Sequence, residues 1–414
     1  MTVHSQSSQR WVIAGLLFAA GFINYLDRAI LSVALPLVSR DLHLDPPAKG
    51  VLLSAFFWSY ALMQLPVGLF ADRISLRWFY AGMFALWCLA CGFTGLATTL
   101  GALIVLRAAL GIGESVYLPG GIKVVSLLFE SGERGLASGL VNCGTRLGLS
   151  LGAPLTAWML VTRGWHQAFV IFGFGGLLWL LPWLAATSLM SLESTPRESR
   201  SGKSRIAWRD RNFLGLCLGH LGYSYYWYLL VTWLPDYLVE SRHMPIQRAG
   251  VFTMIPFMVF SIGEPLGGWI ADRLVGFGWS EPRVRKWIIT ASFLTAIALI
   301  PAVRVNSDTA AICLIGTASL VGLATGNILA LLQLFSPPGE VGMRTGALNF
   351  AGNLSGVAAP LVTGFLISRT SSYIPGFDVA VVLLIVALPA YWLIVGEANE
   401  TPIPGKDYAR TTIQ

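Results

Sequence analysis

The stretch GFINYLDRAILSVALPLV, residues 21–38, is apolar enough to live in lipid yet carries an acid and a base side by side, Asp27 and Arg28. A charge at bilayer depth costs about 2.5–3.5 kcal/mol on insertion scales. A segment that keeps two such charges uses them. Intramembrane ionisable residues of this kind face bundle interiors or watery cavities and mark ion and substrate paths.

The rest of the chain supports a membrane setting. Of 414 residues 55% are hydrophobic and only 12% charged, against roughly 25% charged in soluble domains. Fifteen Trp and 44 Gly and a mean hydropathy of +0.66 point the same way. The formal charge of +7 does not indicate nucleic acid, because the bases gather in loops between apolar runs. Cys88, Cys91, Cys143, Cys217 and Cys313 all fall in apolar segments. With no second C-x-x-C and no nearby His they read as packing residues, so neither a metal nor a cofactor is expected. Arg10 and the apolar run after it lack a small-residue cleavage site and read as a retained first helix.

A spanning helix needs about 20 mostly apolar residues. Breaks at charges, Pro and Gly give twelve spans, near 11–38, 50–71, 78–97, 101–128, 136–162, 167–187, 211–239, 248–271, 286–303, 309–335, 343–368 and 377–396. The long polar stretch SLESTPRESRSGKSRIAWRDR divides them six and six. This predicts an all-α membrane protein with an N-terminal bundle at 1–187, a linker at 188–210 and a C-terminal bundle with a short tail at 211–414. Placing both termini in the cytoplasm puts 17 Lys and Arg in inner segments and 7 in outer loops, the bias that sets orientation. The halves also repeat. GLFADR at 68–73 returns as GWIADR at 268–273, and GERGLASGLVN at 132–142 returns as GEVGMRTGALN at 339–349. Pseudo-symmetric halves with a site between them are typical of secondary transporters.

The stretch GLFADRISLR, although Ser75 and Leu76 stand where a Gly and a base are usual, resembles the loop signature of the major facilitator superfamily. NYLDRAILSVALP, SAFFWSYALMQLPVG, RAALGIGESVYLPG and YYWYLLVTWLPDYL resemble its anion:cation symporter branch, which includes bacterial hexuronate, galactonate, glucarate and phthalate permeases and the animal sialic acid and vesicular glutamate carriers. The resemblance implies the major facilitator fold and protonatable acids at Asp27 and Glu114. It also implies that Arg28 holds the substrate carboxylate, that Arg107 serves coupling, and that Tyr25 and Tyr60 line the pocket. Loop charges that latch the inner gate in such carriers fall on Asp72, Arg73, Asp272 and Arg273. Sugar-acid carriers of the branch often place an amide in the fifth helix where this chain has NCGTRLG, a departure that leaves the substrate open.

Physics weighs the same residues independently. Arg107 and Glu114 lie two turns apart on one face, roughly 10 Å along the axis, with Gly111 between them leaving space. Arg107 can snorkel to the interface, whereas Glu114 is too deep to do so. The side chains of Asp27 and Arg28 leave the helix about 100° apart and cannot pair within a turn. Arg28 suits a mobile anion, since guanidinium takes carboxylates through two parallel hydrogen bonds. Arg146, beside Thr145, is deep and has no acid within a turn; its counter-charge is either the substrate or an acid from another helix, Glu264 being a candidate. His220 reads as packing. Asn349 and Asn353 face inward if the repeat with Asn142 holds, lining the pocket or bonding between helices.

The expected function is proton-coupled symport of a small organic anion by alternating access, with an exchanger or exporter of the same fold as the alternative. No nucleophile–base or metal constellation and no nucleotide loop supports an enzyme, and tails this short leave no room for a sensor domain. Short outer loops, with sequons only at Asn353 and Asn399, favour a multi-pass protein of a bacterial inner membrane. A monomer is expected, its partners the lipid bilayer and the small organic anion, without nucleic acid.

Overall fold

A computed structural model describes residues 3–71, 74–129, 133–188, 190, 210–337 and 340–396. Asp72, Arg73 and most of the expected 188–210 linker lie outside them.

Lipid offers no partner to backbone N–H and C=O groups, so a spanning chain must satisfy them within a helix or a closed barrel. The described residues form helices and contain no strand. In chain order these are α1 (Val3–Asp41), α2 (Pro46–Ala71), α3 (Leu76–Thr94), α4 (Leu100–Leu128), α5 (134–163), α6 (165–187), α7 (Arg211–Asp236), α8 (Ile246–Gly276), α9 (Glu281–Ala302), α10 (Asp308–Leu334), α11 (Val341–Thr370) and α12 (Ile374–Ile394). They fit twelve crossings. Several starts are capped by the residue before them: Thr99 accepts from the Ala102 N–H, Ser307 from Ala310, and Asp210 from Asn212 and Phe213. Val105, Leu178, Leu181 and Leu393 stand exposed on outer faces, whereas Asp27, Glu114 and Asp236 are buried. That inversion of soluble-protein burial is what a lipid-embedded bundle requires.

Two details differ from the sequence reading. The fourth span bends at Ser115 and Val116, between pieces Leu100–Glu114 and Tyr117–Leu128, so Glu114 ends the first piece. The loop expected between the fifth and sixth spans shrinks to a turn at Gly164, whose φ of 78° lies in the left-handed region that glycine enters without steric cost.

Small residues set the packing. Gly144, Gly148 and Gly152 form a stripe on α5 that lies against the α1 backbone. A Cβ on Gly144 would fall 2.1 Å from the Phe18 carbonyl oxygen, and one on Gly148 2.4 Å from that of Phe22. Helices in lipid gain close contact in this way, through small residues rather than apolar burial. The halves meet chiefly where α2 packs on α11 and α5 on α8, which places α1, α4, α7 and α10 around the space between them.

Charge clamps repeat in both halves with the signs exchanged. Arg10 near the start of α1 pairs with Glu133 before α5 at 2.7 Å. Asp210 before α7 pairs with Arg344 in the first turn of α11. In each half the first helix is thus tied to the fifth.

Candidate functional site

The space between the halves holds a cavity of about 330 Å³, within the range of small-molecule sites. From α1, α2, α4 and α5 it receives Asn24, Tyr25, Arg28, Tyr60, Tyr117, Asn142, Thr145 and Arg146. From α7, α8, α10 and α11 come His220, Tyr223, Glu264, Thr325, Thr345 and Asn349.

Arg28 leaves α1 toward α2 and α4. Its Nη2 lies 3.1 Å from Glu114 Oε2, and its Nε donates to the same oxygen at 3.2 Å. Three rings surround the guanidinium, with Cζ 4.7 Å from the centroid of Tyr25, 4.8 Å from Phe56 and 5.0 Å from Tyr60. Each ring face attracts the cation and keeps water from it. The partner expected to be a mobile anion is here a carboxylate of the protein.

Asp27 turns the other way, as the 100° divergence requires. It is buried and does not line the cavity. The Cys91 thiol of α3 donates to its Oδ1 at 3.3 Å, and its Oδ2 has no hydrogen-bond partner. Cys91 is therefore more than a packing residue. Arg107 is buried too, with Nε and Nη2 unpartnered, and lies within electrostatic reach of Cys91, Glu114 and Asp27. It does not snorkel. Nor does Gly111 leave space: a Cβ there would fall 2.2 Å from Ser59 Oγ and 2.5 Å from the Phe56 carbonyl oxygen, so the glycine lets α2 press against α4.

Also lining the cavity, Arg146 of α5 forms an ion pair with Glu264 of α8, joining the two halves. Thr145, beside it, lines the cavity and donates to the Asn142 carbonyl at 2.7 Å. Asn142 and Asn349, repeat mates in sequence, both face the cavity. Asn353 does not. Its Oδ1 accepts from the Tyr228 hydroxyl at 2.8 Å and its Nδ2 donates to the Asn349 carbonyl at 2.9 Å, so of the two alternatives it takes the interhelical bond. His220, read as packing, lines the cavity and stacks on Tyr223 at 5.5 Å, its Nδ1 unpartnered.

The ends of the bundle differ. Where α1 and α7 finish, the halves are tied by Arg40 to Glu240 at 2.8 Å and by Lys49 to Asp236 at 3.0 Å. Toward the other end a second cavity of about 440 Å³ shares Leu118, Ile122, Thr345 and Asn349 with the first and continues to Gln64, Gly346 and Phe350. The charges expected to latch that end do not join the halves among the described residues. Asp272 pairs with Arg285 of its own half at 3.0 Å, and Arg273 lies over the Trp269 ring at 5.4 Å. Asp72 and Arg73 lie outside the described residues.

Sequence reasoning missed Phe56, Tyr117, Tyr223 and Thr325, together with the Lys49–Asp236 tie. Phe56 was within reach: it stands four residues before Tyr60, one turn away on the same face, and the two rings stack at 5.3 Å. Tyr223 similarly follows His220 by three residues.

The family model "Major Facilitator Superfamily" matches residues 17–326. The chain is 28% identical to the "D-galactonate transporter" of Escherichia coli O6:H1, over 94% of this chain and 96% of that protein. It is 30% identical to the "Probable galactarate/D-glucarate transporter GudP" of Bacillus subtilis, over 94% and 93%. The solved structure of a bacterial homolog of the human lysosomal transporter Spinster, inward-facing and unoccupied, superposes with a TM-score of 0.78 at 19% identity, over 94% of this chain and 97% of that one. With the family model and full-length transporter relatives matched on this helical fold, the chain is a multi-pass membrane transporter, not an enzyme, and belongs to the major facilitator superfamily.

Proposed function

We propose that this transporter moves sugar acids across a bacterial inner membrane together with protons, both termini lying in the cytoplasm. The substrate class is supported by relatives whose names carry galactonate, glucarate and hexuronate. The orientation rests on the 17-to-7 bias of basic residues.

One observation carries the mechanism: Glu114 occupies the guanidinium that a substrate carboxylate needs. Glu114 is the carboxylate that Arg28 holds beside Tyr25, Phe56 and Tyr60. A second anion beside Glu114 would leave an uncompensated negative charge in a low-dielectric site, at a cost of several kcal/mol. Substrate binding therefore goes with a proton on Glu114, which then releases Arg28. Asp27, with one oxygen free and only a thiol as hydrogen-bond partner, is the second proton holder, and Arg107 links the two acids electrostatically. Hydroxyls of a polyhydroxy acid meet Asn142, Asn349, Tyr223 and Thr325 on the facing walls. Alternating access then consists of breaking the ties at Lys49 and Arg40 while the opposite end closes.

The test uses purified protein in liposomes with D-galactonate and D-glucarate. An inwardly directed proton gradient should concentrate the acid, and a protonophore should abolish the accumulation. Glu114→Gln should keep counterflow exchange and lose accumulation. Gradient-independent uptake, or full accumulation by Glu114→Gln, would overturn proton coupling; no transport of either acid would overturn the substrate class.

A further inference from the structure

Two arginine–glutamate pairs meet at the cavity, which Arg28, Arg146 and Glu264 line while Glu114 is buried. Arg28–Glu114 belongs to one half, whereas Arg146–Glu264 spans the two halves. Both arginines line the same cavity. The second pair is the more open, its side chains 27% and 26% exposed against 10% and 0% for the first.

We propose that Arg146–Glu264 is a second anion site, and that a second carboxylate on the substrate brings one further proton with it. This rests on the anion-carrier reading above. In the empty cavity the four charges of the two pairs sum to zero. A monocarboxylate on Arg28 adds one negative charge, which a proton on Glu114 cancels. Its far end is a neutral hydroxyl, which can hydrogen-bond to the second pair without splitting it. A dicarboxylate brings a carboxylate to that far end as well. There it competes with Glu264 for Arg146, and an uncompensated charge is again expensive. Glu264 must then be neutralised before it yields the guanidinium.

Among the described residues, Arg146 is the cation paired with Glu264. Arg146 of α5 faces it, α7 contributes His220 and Tyr223, α10 contributes Thr325, and Tyr25 of α1 stands near Arg146. Tyr223 is engaged with the Thr325 hydroxyl at 2.5 Å. Of the bases of α9, Arg285 is held by Asp272 and Glu281, and Lys286 by the carbonyls of Val395 and Gly396. Splitting the pair also releases a tie between the halves, so a dicarboxylate loosens the interface in a way that a monocarboxylate does not.

The experiment is titration calorimetry of the full chain in detergent near neutral pH, in buffers of different ionisation enthalpy, with D-galactonate as the monoacid and D-glucarate as the diacid. By linkage, the buffer dependence counts protons bound with the ligand. The wild type should take up about one more proton with D-glucarate than with D-galactonate. Glu264→Gln, which leaves Arg146 without a carboxylate to give up, should lower the D-glucarate count by about one. The wild-type comparison stands even if the variant fails to fold. Equal proton counts for the two acids, or D-galactonate binding with no D-glucarate binding, would overturn the second site and leave the carrier reading intact. Binding of neither acid would overturn both.

Discussion

The ammonium of Lys49, in the first turn of α2, lies 3.0 Å from one carboxylate oxygen of Asp236 at the end of α7, and the Tyr373 hydroxyl donates to the other at 2.7 Å. This buried contact joins the two halves at the end where the cavity is shut. Nearby, α2 and α11 touch so closely that a Cβ on Gly50 would fall 2.6 Å from the Pro360 carbonyl oxygen.

Removing one partner of such a pair strands the other charge, at a cost of about 3–5 kcal/mol. Lys49→Ala and Asp236→Ala should each lower the thermal midpoint in detergent. The double variant should recover part of the loss, because it leaves no orphan charge. Strictly additive losses would show that the two residues do not act as a pair.

Arg28→Ala removes the group assigned to the substrate carboxylate. Losing a charge-assisted hydrogen bond costs about 1.5–3 kcal/mol, or roughly 10- to 150-fold in affinity. Arg28→Lys should restore little, since a compact ammonium cannot reproduce the planar fork or its stacking on three rings. Calorimetry with D-galactonate measures both, and unchanged affinity in Arg28→Ala would place the carboxylate elsewhere.

The glycine stripe of α5 allows a sharp comparison. Gly144→Ala and Gly148→Ala push a methyl into the α1 backbone and should destabilise by about 1–3 kcal/mol, as overpacking does. Gly139→Ala, where nothing lies within 4 Å of the added carbon, should leave the thermal midpoint nearly unchanged. Similar midpoints for all three would mean that α1 and α5 are not pressed together along this stripe.

Topology is tested by reporter fusions. Fusions at residues 203 and 406 should read cytoplasmic, and one at residue 45 external. An external signal at 203 would reverse the orientation drawn from the basic-residue bias.

The helices were legible because lipid leaves the backbone no alternative, so each run of some twenty apolar residues had one solution. The break between the fifth and sixth spans was legible too, at 163–166, but not that one glycine, Gly164, would make the whole turn. Arg28, Glu114, Arg146 and Glu264 stood out as charges out of place. Glu264 was already a candidate partner for Arg146, and the two do pair; the pairing of Arg28 with Glu114 was not foreseen, because it depends on how helices rotate against one another, and Glu114 lies 86 positions from Arg28. Lys49 and Asp236 were hidden for a different reason. Each falls at the edge of a span, where a polar residue ordinarily meets water, and nothing local reveals that these two meet each other instead.

The Arg28–Glu114 pair also bears on the unloaded half of the cycle. A carrier whose vacant site exposes a bare arginine faces a steep barrier whenever that site must pass through the occluded form, so it turns over only when filled and behaves as an exchanger. On the function proposed above, the glutamate stands in for cargo and gives the unloaded site the same charge balance as the loaded one. On that reading the return stroke would proceed without freight, and each round would deliver a net molecule rather than swap one for another.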